Sequence, residues 1–271
     1  KSGVFSAFDP GRSVRIFETS GTTHRKKGRH CFDTLKIYDE SARPNFQKHL
    51  LPDGLRPPMR MLLPRPGEAP NSSLVYMCDM VSKAFSDDVR WYIAGGEIKA
   101  DELCADMKEA VETGRPRMIL GTTFSFVHFF DALAARRESF ALPAGSRIME
   151  TGGAKGKSRE IGRGEFLEMS ERRLNIPPAR IVNEYGMTEL SSQLYDDTML
   201  HPEDGRNERS PIKIPPAWMR VQVIDPVSCG PANKGEAGLI RIFDLANRGS
   251  AIAIQTEDIG IPENQGVRIL G

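Results

Sequence analysis

Four short stretches combine hydroxyl, glycine and charged residues in spacings suited to polyphosphate chemistry. The first, from Glu18 to Arg29, reads E-T-S-G-T-T-H-R-K-K-G-R. Gly21 lets the backbone approach an anion closely, and successive backbone N–H groups can form a concave anion site. Hydroxyl groups and positive charge add donors to the same loop, from Ser20, Thr22, Thr23, Arg25, Lys26 and Lys27. Taken alone, the stretch fits a solvated Ser/Thr turn with a basic loop equally well.

The second stretch, N-E-Y-G-M-T-E-L, occupies residues 183–190. A predicted strand ends in a tight Tyr-Gly turn, with Thr188 and Glu189 just beyond it. A hydroxyl and a carboxylate there can meet an α-phosphate and a Mg2+ ion held by oxygen ligands. The alternative is a helix start, with Thr188 as the N-cap and Glu189 in the first turn.

The third stretch, T-E-D-I-G, occupies residues 256–260. We expect Asp258 to lie at a strand end before Gly260, where a carboxylate can accept hydrogen bonds from two ribose hydroxyls. An ordinary turn aspartate is the alternative.

The fourth stretch, T-G-G-A-K-G-K-S at 151–158, is an imperfect P-loop. That motif needs Gly, four residues and then Gly-Lys-Ser/Thr, whereas Thr151 stands at the first glycine position and Gly152 leaves the spacing one short. A basic surface loop is one alternative. Another is a flat backbone wall for a nucleotide base, formed by Gly152, Gly153 and Ala154. A P-loop-like nucleotide-binding protein therefore remains a rival of another class.

The elements that must position these stretches are predicted from strand and helix patterns. Strands at 118–124, 147–153 and 180–186 alternate with helices at 125–135 and 165–174, and this alternation indicates parallel βαβ units. In such sheets, ligands bind beyond the carboxyl ends of the strands. Upstream, strands are expected at 14–18, 59–63 and 91–96, helices at 74–85 and 99–113, and only weak helical character at 31–50.

Beyond about residue 200 the predicted strands, at 219–225, 238–245 and 251–256, follow one another without helices. The sequence thus predicts an α/β fold in which a parallel βαβ sheet core is joined to a smaller antiparallel β subdomain. We expect the nucleotide- and acyl-binding core at 1–200 and the β-rich subdomain at 201–271.

Composition excludes several classes of function. The 271 residues carry a net charge of +1, which gives no general attraction to nucleic acid. No apolar run is long enough to span a membrane. The four cysteines, Cys31, Cys78, Cys104 and Cys229, form no C-x-x-C pair, so a zinc site is not expected. A reduced, cytoplasmic setting fits best.

Taken together and in their order along the chain, the four stretches resemble the adenylate-forming superfamily of acyl- and aryl-CoA synthetases. T-S-G-T-T-H-R-K-K-G from Thr19 to Gly28 is similar to its phosphate loop. Other matches are its N-x-Y-G-x-T-E, G-G-A and T-G-D segments. Within the superfamily, G-T-T-F-S-F-V-H-F-F-D-A-L, M-E-T-G-G-A-K-G-K-S-R-E and I-R-I-F-D-L-A-N-R-G-S resemble the acyl-protein synthetases of bacterial bioluminescence operons.

The resemblance implies a two-step reaction with ATP and Mg2+. A fatty acid becomes an acyl-adenylate, and the acyl group passes to a cysteine of the enzyme and then to a reductase partner that makes the aldehyde. It implies phosphate binding by Ser20, Gly21, Thr22, Thr23, Lys27 and Gly28. It places Thr188 at the α-phosphate, Glu189 on Mg2+ and Asp258 on the ribose. The remaining nucleotide contacts would come from Gly152, Gly153, Ala154, Asn183, Tyr185, Gly186 and Met187, and an acyl pocket from Phe124 and His128.

The sequence departs from the superfamily pattern at three places. His24 stands where glycine is usual, Glu257 replaces the glycine of T-G-D, and the sequence stops at G-V-R-I-L-G, where the hinge to a C-terminal lid is expected. That lid carries the superfamily's catalytic lysine and this family's acceptor cysteine. We therefore expect a core fragment that binds nucleotide and performs the full reaction poorly. The alternatives are a phenylacetate-type CoA ligase, the P-loop-like protein and a noncatalytic remnant.

Overall fold

The computed structural model describes residues 6–19, 27–152, 161–201 and 211–270. The helices in these ranges are α1 (Lys36–Leu50), α2 (Ser73–Phe85), α3 (Ala100–Thr113), α4 (Thr123–Arg136) and α5 (Arg163–Leu174), with 3-10 turns at Pro10–Arg12 and Pro178–Arg180. The strands are β1 (Arg15–Glu18), β2 (Arg29–Phe32), β3 (Met59–Pro64), β4 (Val89–Ala94), β5 (Glu97–Ile98), β6 (Met118–Thr122), β7 (Arg147–Thr151), β8 (Ile181–Tyr185), β9 (Leu194–Asp196), β10 (Lys213–Ile214), β11 (Met219–Ile224), β12 (Gly238–Asp244), β13 (Ala253–Glu263) and β14 (Gly266–Ile269).

One large mixed sheet and one antiparallel hairpin organise the molecule. The sheet has the order β11-β12-β13-β14-β10-β9-β8-β7-β6-β3-β4-β5, and the hairpin joins β1 to β2. Strands β4, β3, β6, β7 and β8 pair in parallel, which confirms the predicted α/β fold and its βαβ units. The strands from β9 onward pair antiparallel.

The parallel strands are apolar on both faces because helices cover both faces. Met149 and Val182 face the cluster that contains Phe46 of α1 and Val81 of α2. Their neighbours along the strands, Ile148 and Ile181, face the opposite cluster together with aromatic residues of α4 and α5, namely Phe126, Phe129, Phe130 and Phe166. This alternation fixes which side chains at the strand ends face which helices.

The antiparallel strands continue the same sheet and have a core cluster of their own. Leu190, Leu194, Val223, Ile240 and Ile242 are buried there. β9 lies before residue 200 and β10 after it, and the two are hydrogen-bonded. The division of the chain at residue 200 stays a prediction.

The boundary between β6 and α4 differs from the expected one. The strand ends at Thr122 and the helix begins at Thr123, because Thr122 and Ser125 form a reciprocal capping box. Gly121 lies within the strand. A Cβ there would stand 2.7 Å from the Leu62 Cβ, so the glycine permits close approach of β3.

Two further expectations were wrong. Residues 36–50 form a 15-residue helix despite Pro44, with its buried face on the sheet. Asp258 lies inside β13 rather than at a strand end, because β13 runs from Ala253 to Glu263. Gly260 marks contact with β14, since a Cβ there would lie 2.8 Å from Val267 Cγ2.

Candidate active site

The hairpin of β1 and β2 holds both ends of the predicted phosphate loop. Thr19 N–H donates to the Gly28 carbonyl (3.0 Å), and Gly28 N–H donates to Thr19 Oγ1 (2.9 Å). Lys27 is exposed, with Nζ 3.7 Å from a Glu18 carboxylate oxygen. The predicted phosphate ligands Ser20, Gly21, Thr22 and Thr23 lie outside the described residues, as does His24.

The stretch after β8 forms a turn, and no helix begins there. Leu190 N–H donates to the Met187 carbonyl (3.0 Å). Thr188 Oγ1 donates to the Glu18 carbonyl (3.4 Å), which joins this turn to the end of β1. The interpretation of Thr188 as a helix N-cap was therefore wrong, and the chain proceeds from the turn into β9.

A cavity of about 420 Å³ opens between the hairpin, this turn and the start of β13. The predicted site residues that line this cavity are Gly28, Met187, Thr188 and Glu189. The other lining residues are Thr19, Arg29, His30, Ser250, Ala251, Ala253, Ile254, Gln255 and Thr256. Asn183, Tyr185, Gly186 and Asp258 are not part of this wall.

Tyr185 and Asp258 lie beside the cavity and are bonded to each other. The Tyr185 hydroxyl donates to Asp258 Oδ2 at 2.6 Å. Burial, followed by this bond, raises the pKa of Tyr185 above its ordinary value, so the hydroxyl stays protonated and donating. Asp258 N–H donates to Thr256 Oγ1 (3.2 Å), and Thr256 Oγ1 donates to the Ile240 carbonyl (2.9 Å).

The Asn183 side chain belongs to a buried network beneath the turn. Its Nδ2 donates to Glu150 Oε1 (2.6 Å), and Lys213 Nζ donates to both its side-chain and its backbone oxygen. Lys213 also pairs with Asp196 (2.8 Å). Arg163 bridges Glu150 (2.9 Å) and Asp196 (2.7 Å). Asn183 therefore supports the strand end with its side chain.

Glu184 faces the opposite side of the sheet. Thr151 Oγ1 donates to its carboxylate, and burial raises the pKa of Glu184 to about 7. A Cβ atom on residue 186 would overlap Glu184 Oε1, and the glycine at this position avoids that clash. The glycine of the Tyr-Gly pair thus makes room for a buried carboxyl group.

Gly152 directly follows β7 and has a positive φ of 75°. Its carbonyl accepts a hydrogen bond from Thr123 Oγ1 (2.6 Å), which fixes it to the start of α4. The rest of the predicted adenine wall, Gly153 and Ala154, lies outside the described residues. Most of the imperfect P-loop lies there as well.

Phe124 and His128 come together on the first turns of α4. Their ring centroids are 4.4 Å apart. His128 is exposed and Phe124 is half-buried, and neither lines the cavity. The acyl pocket stays a prediction.

His30 is a cavity residue that the sequence reasoning missed. It is 3 % exposed, and its Nδ1 lies 2.8 Å from the Thr188 carbonyl. Burial lowers the pKa of His30 below its ordinary value of 6.5. The available signal was a histidine two residues after Gly28, inside a strand that leaves a polar loop.

The cavity suits a magnesium ion that arrives with phosphate groups. Glu189 is its one carboxylate among the lining residues, and the described chain holds no cluster of three or more metal-binding side chains. Mg2+ commonly binds through one or two carboxylates plus substrate phosphates rather than in an all-protein cage. The donor set therefore fits a substrate-bound cation.

Among the helices in the described ranges, none is both long and apolar enough to cross a membrane.

The fold matches solved adenylate-forming enzymes. ATP-bound MatB from Rhodopseudomonas palustris aligns with a TM-score of 0.64 and 14% identity, over 96% of this chain and 48% of that one. O-succinylbenzoate CoA synthetase (MenE) from Bacillus subtilis, in complex with ATP and magnesium, aligns with a TM-score of 0.60 and 17% identity, over 94% of this chain and 49% of that one. The amide bond synthetase McbA from Marinactinospora thermotolerans aligns with a TM-score of 0.61 and 14% identity, over 97% of this chain and 49% of that one. The chain spans about half the length of these structures.

The chain therefore has the fold of adenylate-forming enzymes. The sequence itself matches the acyl-protein synthetase (LuxE) family over residues 79–268. The chain belongs to this family. A comparison with curated proteins found no match.

Proposed function

We propose that the protein activates a fatty acid with ATP and then transfers the acyl group to a protein cysteine. One observation carries the proposal. The base of the phosphate loop, at Thr19 and Gly28, shares a cavity with Thr188 and Glu189. Family membership supports the acyl-protein synthetase activity, and the ATP and magnesium bound by structural neighbours support this choice of ligands.

The first step forms an acyl–phosphate bond and breaks a phosphate–phosphate bond. A carboxylate oxygen attacks the α-phosphorus of ATP, and pyrophosphate leaves with the bonding electrons. No proton transfer is needed, so catalysis depends on positioning and charge neutralisation. In the second step a thiolate attacks the acyl carbonyl carbon. AMP leaves, and the thiol proton goes to solvent.

The chain's residues divide these tasks according to their place around the cavity. The loop at 19–28 would bind the β- and γ-phosphates, with Lys27 supplying positive charge. Thr188 would donate to the α-phosphate, and Asp258 would accept from the ribose hydroxyls. Tyr185 and Gly152 would flank adenine. A bound Mg2+ would neutralise phosphate charge from a place beside Glu189.

The identity of the acyl acceptor is part of the proposal. Among the chain's cysteines, Cys31, Cys78 and Cys104 are buried and Cys229 is exposed. Burial raises the pKa of Cys78 and of Cys104, which disfavours the nucleophilic thiolate. We propose that an acyl-protein reductase consumes the acyl group.

Acid-dependent exchange of labelled pyrophosphate into ATP tests the first step. We expect the wild type to catalyse exchange with long-chain fatty acids and Mg2+. In Glu189→Gln the exchange rate should fall by at least about a hundredfold. Glu257→Gln is the matched control, because Glu257 is exposed on β13. Exchange supported only by aryl acids would point to a phenylacetate-type ligase. Equal exchange rates in Glu189→Gln and Glu257→Gln would show that Glu189 does not belong to the active site.

Transfer of labelled fatty acid tests the second step. Label that becomes attached to protein through a hydroxylamine-sensitive bond would support the acyl-protein synthetase reaction. Label found on added CoA instead would contradict it and favour a CoA ligase.

A further inference from the structure

Two side chains from distant parts of the sequence bind the backbone of the Thr188–Glu189 turn. His30 Nδ1 lies 2.8 Å from the Thr188 carbonyl oxygen. Since a carbonyl only accepts, this nitrogen carries the proton and donates. Asn247 Nδ2 donates to the next carbonyl, that of Glu189, also at 2.8 Å. The carbonyl groups of Thr188 and Glu189 are thus hydrogen-bonded by one side chain from β2 and by one from the loop after β12.

Asn247 also connects this turn to another wall of the cavity. Its Nδ2 makes a further bond to the Ala251 carbonyl (2.8 Å), and Ala251 lines the cavity. Its Oδ1 accepts from Ser191 Oγ (3.1 Å). Asn247 is only 1 % exposed, so both amide protons and the oxygen are committed to protein partners.

Asp244, three residues earlier, fixes the end of the same turn. Its Oδ2 accepts from Ser191 N–H (2.9 Å). Its Oδ1 accepts from Ser192 Oγ (2.9 Å) and from Ala246 N–H (3.0 Å). Because a buried polar group left without its partner is costly, this set of bonds restrains the backbone of residues 188–192.

We propose that His30 and Asn247 are positioning residues that orient Thr188 and Glu189 for nucleotide and metal binding. The inference rests on the function proposed above. Neither residue is required to touch the reacting atoms. Each acts through a backbone carbonyl, so the backbone that carries the Thr188 hydroxyl and the Glu189 carboxylate is held in place before substrate arrives. Preorganisation of this kind removes a reorganisation step from the reaction.

The side-chain chemistry of the two residues can be separated by substitution. At position 30, asparagine can place an amide N–H near the position of Nδ1, whereas leucine offers no donor. At position 247, aspartate keeps the shape and loses both donors. Asn45→Asp is the matched control, because Asn45 is 5 % exposed and its Nδ2 donates to the Gln193 carbonyl at 2.8 Å.

Binding of Mn2+ in the presence of ATP, followed by electron paramagnetic resonance, measures the site without requiring turnover. We expect the Mn2+ dissociation constant to rise about tenfold or more in Asn247→Asp and in His30→Leu. His30→Asn should recover most of this loss, and Asn45→Asp should bind as the wild type does. Thermal unfolding identifies the temperature at which every variant is folded.

Three results would overturn the inference. One is equal Mn2+ affinity in Asn247→Asp and the wild type. Another is an equal loss in Asn247→Asp and Asn45→Asp, which would indicate general destabilisation. The last is an equal loss in His30→Asn and His30→Leu. A wild type that binds neither ATP nor its Mn2+ complex would instead overturn the proposed function itself, and the positioning role with it.

Discussion

The Tyr185 hydroxyl donates to Asp258 Oδ2 at 2.6 Å, which joins the end of β8 to the middle of β13. The two residues are 73 positions apart in sequence. One belongs to the parallel half of the sheet and the other to the antiparallel half. The proposed adenine-flanking ring and the proposed ribose-binding carboxylate are therefore oriented by each other.

Tyr185→Phe should weaken ATP binding without abolishing it. The substitution keeps the ring and removes the donor that orients Asp258. A hydrogen bond from a ribose hydroxyl to a charged carboxylate contributes about 1.5–3 kcal/mol. If a misoriented Asp258 loses one such bond, we expect the dissociation constant for ATP to rise by about tenfold or more. Isothermal titration with ATP and Mg2+ measures it.

Tyr76→Phe is the control for that experiment. Tyr76 also donates to an aspartate, since its hydroxyl lies 2.8 Å from Asp39 Oδ1, but this pair joins α2 to α1. ATP affinity should not change in Tyr76→Phe. Equal affinities in Tyr185→Phe and the wild type would contradict the orienting role of the Tyr185 hydroxyl.

Glu184→Gln should remove one component of the pH dependence of folding. Burial raises the pKa of Glu184 from 4.5 to about 7, so the folded state holds a proton that the unfolded chain has lost. The stability from this group is complete below about pH 4.5 and is lost as the pH rises to about 7. The difference amounts to about 3 kcal/mol.

Urea unfolding between pH 4.5 and pH 8 checks this prediction. The wild type should lose stability relative to Glu184→Gln as the pH rises, and the variant should be the more stable protein at pH 8. Glu112→Gln on the exposed face of α3 is the control. Parallel pH profiles for Glu184→Gln and the wild type would show that Glu184 ionises normally.

Lys213→Met should destabilise the fold strongly. Lys213 is 5 % exposed, and its Nζ lies 2.8 Å from Asp196 and 2.6 Å from the Asn183 carbonyl. Removing one partner of a buried ion pair leaves the other charge uncompensated, at a cost of about 3–5 kcal/mol. Arg163 still contacts Asp196, so we expect the lower end of this range in urea unfolding.

Lys83→Met provides the comparison for Lys213. Lys83 also pairs with an aspartate, Asp79, at 2.6 Å, but its side chain is 74% exposed. An exposed pair on one helix contributes about 0.5 kcal/mol or less. Similar losses of unfolding free energy in Lys213→Met and Lys83→Met would mean that the buried ion pair of Lys213 does not stabilise the fold.

Gly121→Ala should destabilise the sheet through overpacking. The added Cβ would lie 2.7 Å from Leu62 Cβ and 3.2 Å from the Leu62 carbonyl oxygen, and neighbouring strands cannot separate without losing their bonds. We expect a loss of about 1–3 kcal/mol. Gly164→Ala in α5, with no atom within 4 Å of the added Cβ, should be neutral or stabilising. A neutral Gly121→Ala would contradict the close approach of β3 and β6.

The order of strands and helices in the parallel half could be predicted from the sequence because its signals are local. The strands predicted at 118–124, 147–153 and 180–186 correspond to β6 (Met118–Thr122), β7 (Arg147–Thr151) and β8 (Ile181–Tyr185). Ser72 caps α2 and accepts a hydrogen bond from Val75 N–H at 3.2 Å. Such features depend on residues within a few positions, so no knowledge of the remaining chain is needed.

The sequence could not predict β9, β10 and β14, because two- to four-residue strands carry little periodicity and form only through their partners. β10 has two residues and pairs with both β9 and β14. The length of β13 was missed for the same reason. Its extension past Asp258 depends on pairing with β14.

The residue types available for phosphate, metal and ribose chemistry can be read from the amino-acid sequence, as can the class of fold that carries them. Which of these residues lie close together depends on the folded chain. Gly28, Thr188 and Glu189 share a cavity, whereas the Asn183 side chain points into a buried ionic network. The physical reason is that hydrogen bonds such as His30 to Thr188 and Asn247 to Glu189 join residues far apart in sequence. Their partners are set by sheet order and by burial rather than by local spacing.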